Sequence, residues 1–78
     1  MAVEEIVKEV FNKVLDIQPN EIRPAARLDE ALGVDSTEMV EIAVGLKKAL
    51  NVEIGDHELK KTHTYNEIVG ILKSKGAR

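Results

Sequence analysis

The sequence predicts an all-α domain, a small four-helix bundle with three longer helices, one short helix and a long first loop. Apolar residues recur at three- and four-residue spacing in three segments, which is the pattern of helices with one buried face. Turn formers, Pro19, Pro24 and Gly33, separate the first two of these segments. The 78 residues suffice for a single domain over 1–78, near the lower size limit for an apolar core without disulfides.

The first helix is expected over residues 3 to about 16. Its apolar stripe consists of Val3, Ile6, Val7, Val10, Phe11, Val14 and Leu15. Pro19 ends it, because the residue before a proline is pushed out of the helical region. The connection over 17–35 is long, and such loops are usually functional or anchored by their own apolar side chains. The expected anchors are Ile17, Ile22, Leu28 and Leu32, with a short helical turn over 28–32.

The second long helix is expected over residues 36–50. Its predicted buried stripe is Met39, Ile42, Ala43, Leu46, Ala49 and Leu50. Gly45 falls on the opposite face of this helix in the helical projection, and Asn51 is a credible stop.

Two shorter segments complete the predicted bundle. Asp56 is positioned to cap a short helix that runs to about Lys61. Thr64 is positioned to cap the last helix, over about 65–75, whose apolar face is Ile68, Val69, Ile71 and Leu72. The basic residues Lys73, Lys75 and Arg78 predict a frayed, solvated tail.

Composition excludes several classes of function. The chain has no cysteine, so it has neither disulfides nor a protein thiolate for catalysis or metal binding. A net charge of −3 argues against nucleic acid as a partner. No signal-peptide pattern opens the chain and no apolar stretch approaches membrane-spanning length, which predicts a cytoplasmic protein without a membrane span.

The strongest local signal is the start of the second long helix. Asp35 can accept the free N–H groups of the first turn, and Glu38 can reach back to complete a capping box. A helix N-terminus carries a partial positive charge that favours a phosphate. Ser36 therefore stands where a phosphodiester would be stabilised.

At this point the sequence resembles the acyl carrier protein family, whose hallmark is an Asp-Ser pair after a Leu-Gly turn. The matching stretch is Leu32-Gly33-Val34-Asp35-Ser36, and the segments 22–28, 52–54 and 62–65 also follow the family pattern. The resemblance implies that a phosphopantetheinyl transferase attaches 4′-phosphopantetheine from coenzyme A to Ser36 in a magnesium-dependent reaction, with Asp35 in the recognition element. The thiol of this cofactor would hold acyl groups as thioesters for separate acyl-transfer or synthase enzymes. The protein itself would be a monomer, would bind no metal and would catalyse nothing.

The resemblance also implies a docking surface and an acyl cavity. The candidate docking residues lie along the second long helix: Thr37, Glu38, Val40, Glu41, Val44, Lys47 and Lys48. The candidate cavity residues are apolar and are equally explained as ordinary core: Met39, Ala43, Leu46, Ile54, Ile68 and Leu72.

Two departures from the family pattern bear on the pathway. Thr37 stands where the family usually has leucine, and Lys47-Lys48 replaces a common acidic run. Charge governs partner choice, so these lysines suggest a carrier for a dedicated lipid or polyketide-type pathway rather than bulk fatty acid synthesis. The alternative explanation of these departures is sequence drift on a solvent-exposed face.

Other functions remain open or are disfavoured. A carrier for aminoacyl or peptidyl groups would share the modification, and an unmodified carrier-like interaction module would lack it. His57 and His63, near Asp56 and Glu58, do not share a helical face at metal-ligand spacing, so they read as surface histidines. Ser36 lacks the second glycine of a hydrolase nucleophile turn.

Overall fold

A computed structural model describes residues 2–55 and 57–76 and consists of helices joined by turns and loops. Helix α1 spans Val3–Leu15, α2 spans Leu28–Leu32, α3 spans Ser36–Leu50 and α4 spans Tyr65–Ser74, with a 3₁₀ turn at Pro19–Glu21. The described ranges contain no strand, only an isolated antiparallel bridge between Arg27 and Thr64. The predicted all-α class, with three longer helices and one short helix, is confirmed.

Helix α1 is the centre of the packing, because it contacts both α3 and α4. The fully buried side chains are Val3, Val7, Phe11, Leu28, Ile42, Leu46, Ile68 and Leu72. Phe11 and Tyr65 meet edge to face, with ring centroids 6.2 Å apart, and the Tyr65 hydroxyl donates to the Glu4 carbonyl at 2.8 Å. This aromatic pair joins α1 to α4, a contact favoured beyond its buried area.

The α1–α3 crossing corrects two expectations about α3. Gly45, predicted to face away from the core, lies against α1, where an added Cβ would come within 3.0 Å of Val10 Cγ1. Ala49, predicted to be buried, is exposed. The helical projection placed both residues relative to a single apolar stripe, but α3 also packs a flank against α1, where a side chain at position 45 would force Val10 to shift by a few tenths of an ångström.

The predicted short helix from Asp56 to about Lys61 is wrong over the described part of the segment, 57–61, which consists of turns. Asp56, its predicted cap, lies outside the described residues. The backbone bonds here span three residues, from Glu58 N to the Gly55 carbonyl and from His63 N to the Lys60 carbonyl. Each closes a turn that is not continued as a helix. The short α-helix of the structure is instead α2, in the first loop.

The long first loop is anchored, as its apolar residues predicted. Ile22 and Leu28 are buried, and Ile17 and Leu32 pack partly buried against the core. Hydrogen bonds also join it to the chain before α4: Leu28 N donates to the His63 carbonyl at 3.0 Å and Asp29 N to the Lys61 carbonyl at 2.9 Å. The first loop and the loop before α4 therefore form one layer.

The C-terminal lysines are engaged, which corrects the prediction of a frayed basic tail. Lys73 Nζ lies 3.1 Å from Glu4 Oε2, and Lys75 Nζ lies 2.7 Å from Glu58 Oε2. Arg78 lies outside the described residues. Because both acidic partners are distant in sequence, only the packed fold brings these charges together.

Candidate functional site

The N-terminus of α3 is built by a turn, a buried anchor and a cap. Gly33 ends α2 in the left-handed region at φ 66°, and its N–H donates to the Leu28 carbonyl. Glycine suits this conformation because it has no Cβ to clash. Val34 is 3% exposed and anchors the next residue to the core. The chain then enters α3 with Asp35 as its extended N-cap.

The predicted capping box is present. Glu38 N donates to Asp35 Oδ1 at 2.8 Å, and Asp35 N donates to Glu38 Oε1 at 3.1 Å. Ser36, the first residue of α3, is exposed. Because Asp35 supplies the cap, the Ser36 hydroxyl is not needed to hold the helix and is accessible for attachment of another group.

A cleft of about 310 Å³ opens directly beside Ser36. One wall, the near wall, belongs to α3 and comprises Ser36, Met39 and Val40. The opposite wall, the far wall, is the loop segment 57–62, from which His57, Leu59, Lys60, Lys61 and Thr62 line the cleft. Met39 and Leu59 are each 5% exposed and form its apolar floor. The cleft therefore combines an exposed hydroxyl, an apolar floor and two ammonium groups.

The predicted docking residues lie on the solvent side of α3. Val40 and Val44 are 58% and 45% exposed, unusually high for large apolar side chains. Thr37, Glu41, Lys47 and Lys48 are exposed as well, and Glu38 is half-buried by its cap. Lys47 lies 3.8 Å from Glu53, whose side chain is 95% exposed, so this ion pair is weak.

A second cleft, of about 400 Å³, continues along the same side of α3. It is lined by Val40, Ala43, Val44, Lys47, Ile54, Gly55 and His57. Val40 and His57 line both clefts, so the two are neighbours on one face.

The six predicted cavity residues divide into two groups. Met39 lines the cleft beside Ser36, and Ala43 and Ile54 line the second cleft. Leu46, Ile68 and Leu72 are fully buried in the core and line neither cleft. The structure thus brings only the first group towards an open space next to the serine.

The far wall is held by contacts outside itself. Hydrogen bonds from Lys75 and from the Gly55 N–H lower the pKa of Glu58, which keeps this carboxylate charged. His63 Nδ1 accepts from Lys60 N at 3.0 Å. Over residues 2–55 and 57–76, no group of three or more His, Cys, Asp or Glu side chains has the arrangement of a metal site.

Sequence reasoning missed the residues of the far wall that line the cleft. Leu59 is a lone apolar residue in a polar segment, and that isolation was the available signal. Lys60 and Lys61 fall at the end of the short helix predicted from Asp56, a helix that the described segment 57–61 lacks. Their position beside Ser36 depends on how the loop before α4 packs.

A small helical bundle with an exposed serine at a capped helix start defines a carrier domain. The model of a known family, described as the phosphopantetheine attachment site, matches residues 5–72. The acyl carrier protein of Wolinella succinogenes is 32% identical over 74 residues, covering 95% of this chain and 97% of the relative. The acyl carrier protein of Helicobacter hepaticus is 33% identical over 70 residues, covering 90% of this chain and 92% of the relative. The acyl carrier protein of Bdellovibrio bacteriovorus is 28% identical over 76 residues, covering 97% of this chain and 97% of the relative.

The chain belongs to the phosphopantetheine-binding family of acyl carrier proteins. Members of this family carry 4′-phosphopantetheine as a covalent cofactor and are carriers, not enzymes. The accessible hydroxyl, helix N-terminus and adjoining cleft of this structure fit such a group. No helix within residues 2–55 and 57–76 is long and apolar enough to cross a membrane.

Proposed function

We propose that this protein carries acyl groups as thioesters on 4′-phosphopantetheine attached to Ser36. The observation that carries the proposal is the exposed Ser36 at the first position of α3, with Asp35 as the cap. A phosphodiester on this hydroxyl lies at the positive end of the helix dipole. The chain has no cysteine, so a thioester requires the thiol of the cofactor.

Attachment is carried out by a phosphopantetheinyl transferase with magnesium and coenzyme A as co-substrate. The Ser36 Oγ forms the new bond to phosphorus and loses its proton, while the pyrophosphate bond of coenzyme A breaks and the adenosine bisphosphate leaves. Asp35 has two roles in this proposal, as the helix cap and as part of the surface that the transferase recognises. Because the reaction consumes coenzyme A, we place the carrier in the cytoplasm.

The two clefts on the α3 face are the proposed shelter for an acyl chain. An apolar chain left in water costs about 0.8 kcal/mol for each CH₂ group. Met39, Ala43 and Ile54 border open space on this face. Leu46, Ile68 and Leu72 would border an acyl chain only if it parted the core below these clefts.

The solvent side of α3 is the proposed docking surface for the transferase and for the acyl-transfer or synthase enzymes of the pathway. Val40 and Val44 supply an exposed apolar centre, which partner surfaces can bury. Thr37, Glu38 and Glu41 surround it towards Ser36, and Lys47 and Lys48 follow towards the C-terminus of the helix. We propose that the carrier docks as a monomer.

The pathway is proposed from the charge of this surface. Its acidic half resembles an ordinary fatty acid carrier, whereas Lys47 and Lys48 would repel basic partner surfaces. We favour a dedicated lipid or polyketide-type pathway. If fatty acid elongation enzymes process the acylated protein as readily as an ordinary carrier, and Lys47→Glu/Lys48→Glu changes nothing, the pathway is bulk fatty acid synthesis.

Two alternative functions make different predictions. An aminoacyl or peptidyl carrier would be loaded at Ser36 in the same way but would accept an adenylated amino acid rather than an acyl group. An unmodified interaction module would retain its function when Ser36 is replaced by alanine.

Intact mass spectrometry tests the central proposal. The protein is incubated with a broad-specificity phosphopantetheinyl transferase, magnesium and coenzyme A, with Ser36→Ala as the matched control. We expect the parent to gain one phosphopantetheinyl group and Ser36→Ala to gain none while melting at the same temperature. A folded parent that gains no mass beside an active control carrier would contradict the proposal.

A further inference from the structure

The N-terminus of α3 already holds two carboxylates, those of Asp35 and Glu38, both bound to backbone N–H groups of the capping box. A phosphodiester on Ser36 would add another negative charge beside them. The phosphodiester and the two carboxylates would repel one another, and the helix dipole would offset this repulsion only in part. A cation close to Ser36 would therefore stabilise the modified form.

Cations near Ser36 are present on the far wall of its cleft. Lys60 and Lys61 line the cleft together with Ser36, and both are exposed. Thr62, on the same wall, adds a hydroxyl group. Each lysine carries its ammonium group on a flexible four-carbon stem.

The charges of these two lysines are not consumed by the ion pairs that the structure describes. Among residues 2–55 and 57–76, neither ammonium group lies within 4.0 Å of a carboxylate. The pKa of Asp29 is lowered chiefly by the hydrogen bond from Arg27, and the charge of Lys61 is the smallest of the causes. Arg27 already binds that carboxylate at 2.8 Å.

The position of the two lysines is set by the fold. Lys60 N donates to His63 Nδ1, and the Lys61 carbonyl accepts from Asp29 N. Leu59, immediately before them, is buried. The backbone is thus held at both residues, while both residues are exposed to solvent.

We propose that Lys60 and Lys61 bind the phosphodiester of 4′-phosphopantetheine on Ser36 and hold the root of the cofactor against the far wall of the cleft. The inference rests on the proposed function of Ser36. A phosphodiester held by this wall would direct the phosphopantetheine arm along the cleft between α3 and the loop before α4. The lysines are positioning residues and take no part in bond making.

The experiment measures the change in melting temperature on loading, holo minus apo, within each variant. The test variant is Lys60→Gln/Lys61→Gln, and the matched control is Lys8→Gln/Lys13→Gln, which makes the same charge change on α1, away from the cleft beside Ser36. A third variant, Lys60→Arg/Lys61→Arg, keeps the charge. Intact mass verifies that each protein is loaded before it is melted.

We expect the holo-minus-apo difference to fall by about 1–8 °C in the test variant relative to the parent, the range for exposed ion pairs in a domain of this size. The control and the arginine variant should retain the parental difference. In 1 M salt the holo-minus-apo difference of the parent should fall to that of the test variant, because charges are then screened beyond about 3 Å.

Two failures are distinguishable. If all variants load and the test variant shows the same holo-minus-apo difference as the parent and the control, the inference is wrong and the proposed function stands. If no variant gains the cofactor mass, the proposed function fails and the inference fails with it.

Discussion

The two walls of the cleft beside Ser36 are held in place by different kinds of interaction. The near wall, the start of α3, depends on hydrogen bonds between residues three positions apart, Asp35 and Glu38. The far wall, segment 57–62, depends on partners distant in sequence, such as Lys75 for Glu58 and Asp29 for Lys61. Ser36, the proposed attachment residue, thus lies at a locally capped helix start, whereas the surface it faces is positioned by the whole fold.

This difference suits a carrier. Under the proposed function, a serine recognised by a transferase benefits from a helix start whose cap is formed within the helix itself. The opposite wall has no regular helix over residues 57–62, and segments of this kind open at lower free-energy cost. We therefore expect the far wall to open more readily than the capped start of α3.

The largest expected effects are on two buried leucines, one on the far wall and one in the core. Leu59→Ala should destabilise the protein by about 2–3 kcal/mol, the lower part of the range for buried leucines, because the cleft beside it already admits water. Leu46→Ala, at a fully buried position, should cost about 3–5 kcal/mol. Urea unfolding measures both values.

Hydrogen exchange of the Leu59→Ala variant sharpens the comparison. The amides of Glu58 and His63, which bond at the two ends of the far wall to the Gly55 and Lys60 carbonyls, should lose protection, whereas the Glu38 amide in the capping box should keep it. Equal loss at both walls would mean that the near wall is not locally determined.

Removal of the cap is the corresponding change on the near wall. Asp35→Ala should cost about 1 kcal/mol, because Glu38 N loses its acceptor. Asp35→Asn should restore the stability, since asparagine caps as well as aspartate, but it also removes the charge. Urea unfolding and the rate of cofactor loading are measured on both variants.

Loading should slow in both Asp35 variants if the transferase recognises the carboxylate, although only Asp35→Ala is destabilised. Normal loading of Asp35→Asn would show that the cap, and not the charge, is what the transferase requires.

Acid should act on the far wall through Glu58. Hydrogen bonds from Lys75 and Gly55 N lower the pKa of Glu58 below its ordinary 4.5, so the folded state favours the charged form. The resulting stability is present above the ordinary pKa and is lost as the pH falls through the lowered pKa. The protection of the Glu58 and His63 amides should decrease over that window, as measured by hydrogen exchange.

Glu58→Gln should have this decreased protection already at neutral pH and show a weaker pH dependence. Glu53→Gln is the matched control, because the Glu53 side chain is 95% exposed and its ion pair with Lys47 is long. This is the smallest of the three effects, since the Glu58–Lys75 pair is close to solvent. If Glu58→Gln left the pH dependence of amide protection unchanged, that dependence would have to come from other titrating groups.

Helix starts were predictable because their signals are local. The Asp35–Glu38 box and the box between Thr64 and Glu67 both form as their spacing indicates. The apolar periodicity of α1 also located its buried face. In each case the decisive contacts join residues within one or two helical turns.

The two predicted short helical segments had different outcomes. The turn expected over 28–32 is confirmed as α2, whereas the described segment 57–61 is not helical, although both contain helix-compatible residues. The carbonyls of Lys61 and His63 accept hydrogen bonds from the first loop, so their partners lie outside their own segment. Periodicity carries no information about such partners.

Gly45 and the C-terminal lysines show the same limit at the level of side chains. The role of Gly45 depends on Val10 of α1, and the roles of Lys73 and Lys75 depend on Glu4 and Glu58. These pairs are far apart in sequence, and the packing of α1 against α3 and α4 decides which residues meet.

The sequence by itself determined the helical class, the capped start of α3 and the exposed Ser36, because hydrogen bonds and apolar spacing over three or four residues specify them. Only the tertiary structure decided that Ser36 faces a cleft, that Leu59 forms its floor, and that Lys60 and Lys61 stand opposite. Those placements require contacts between distant segments, which form only when the whole core is packed.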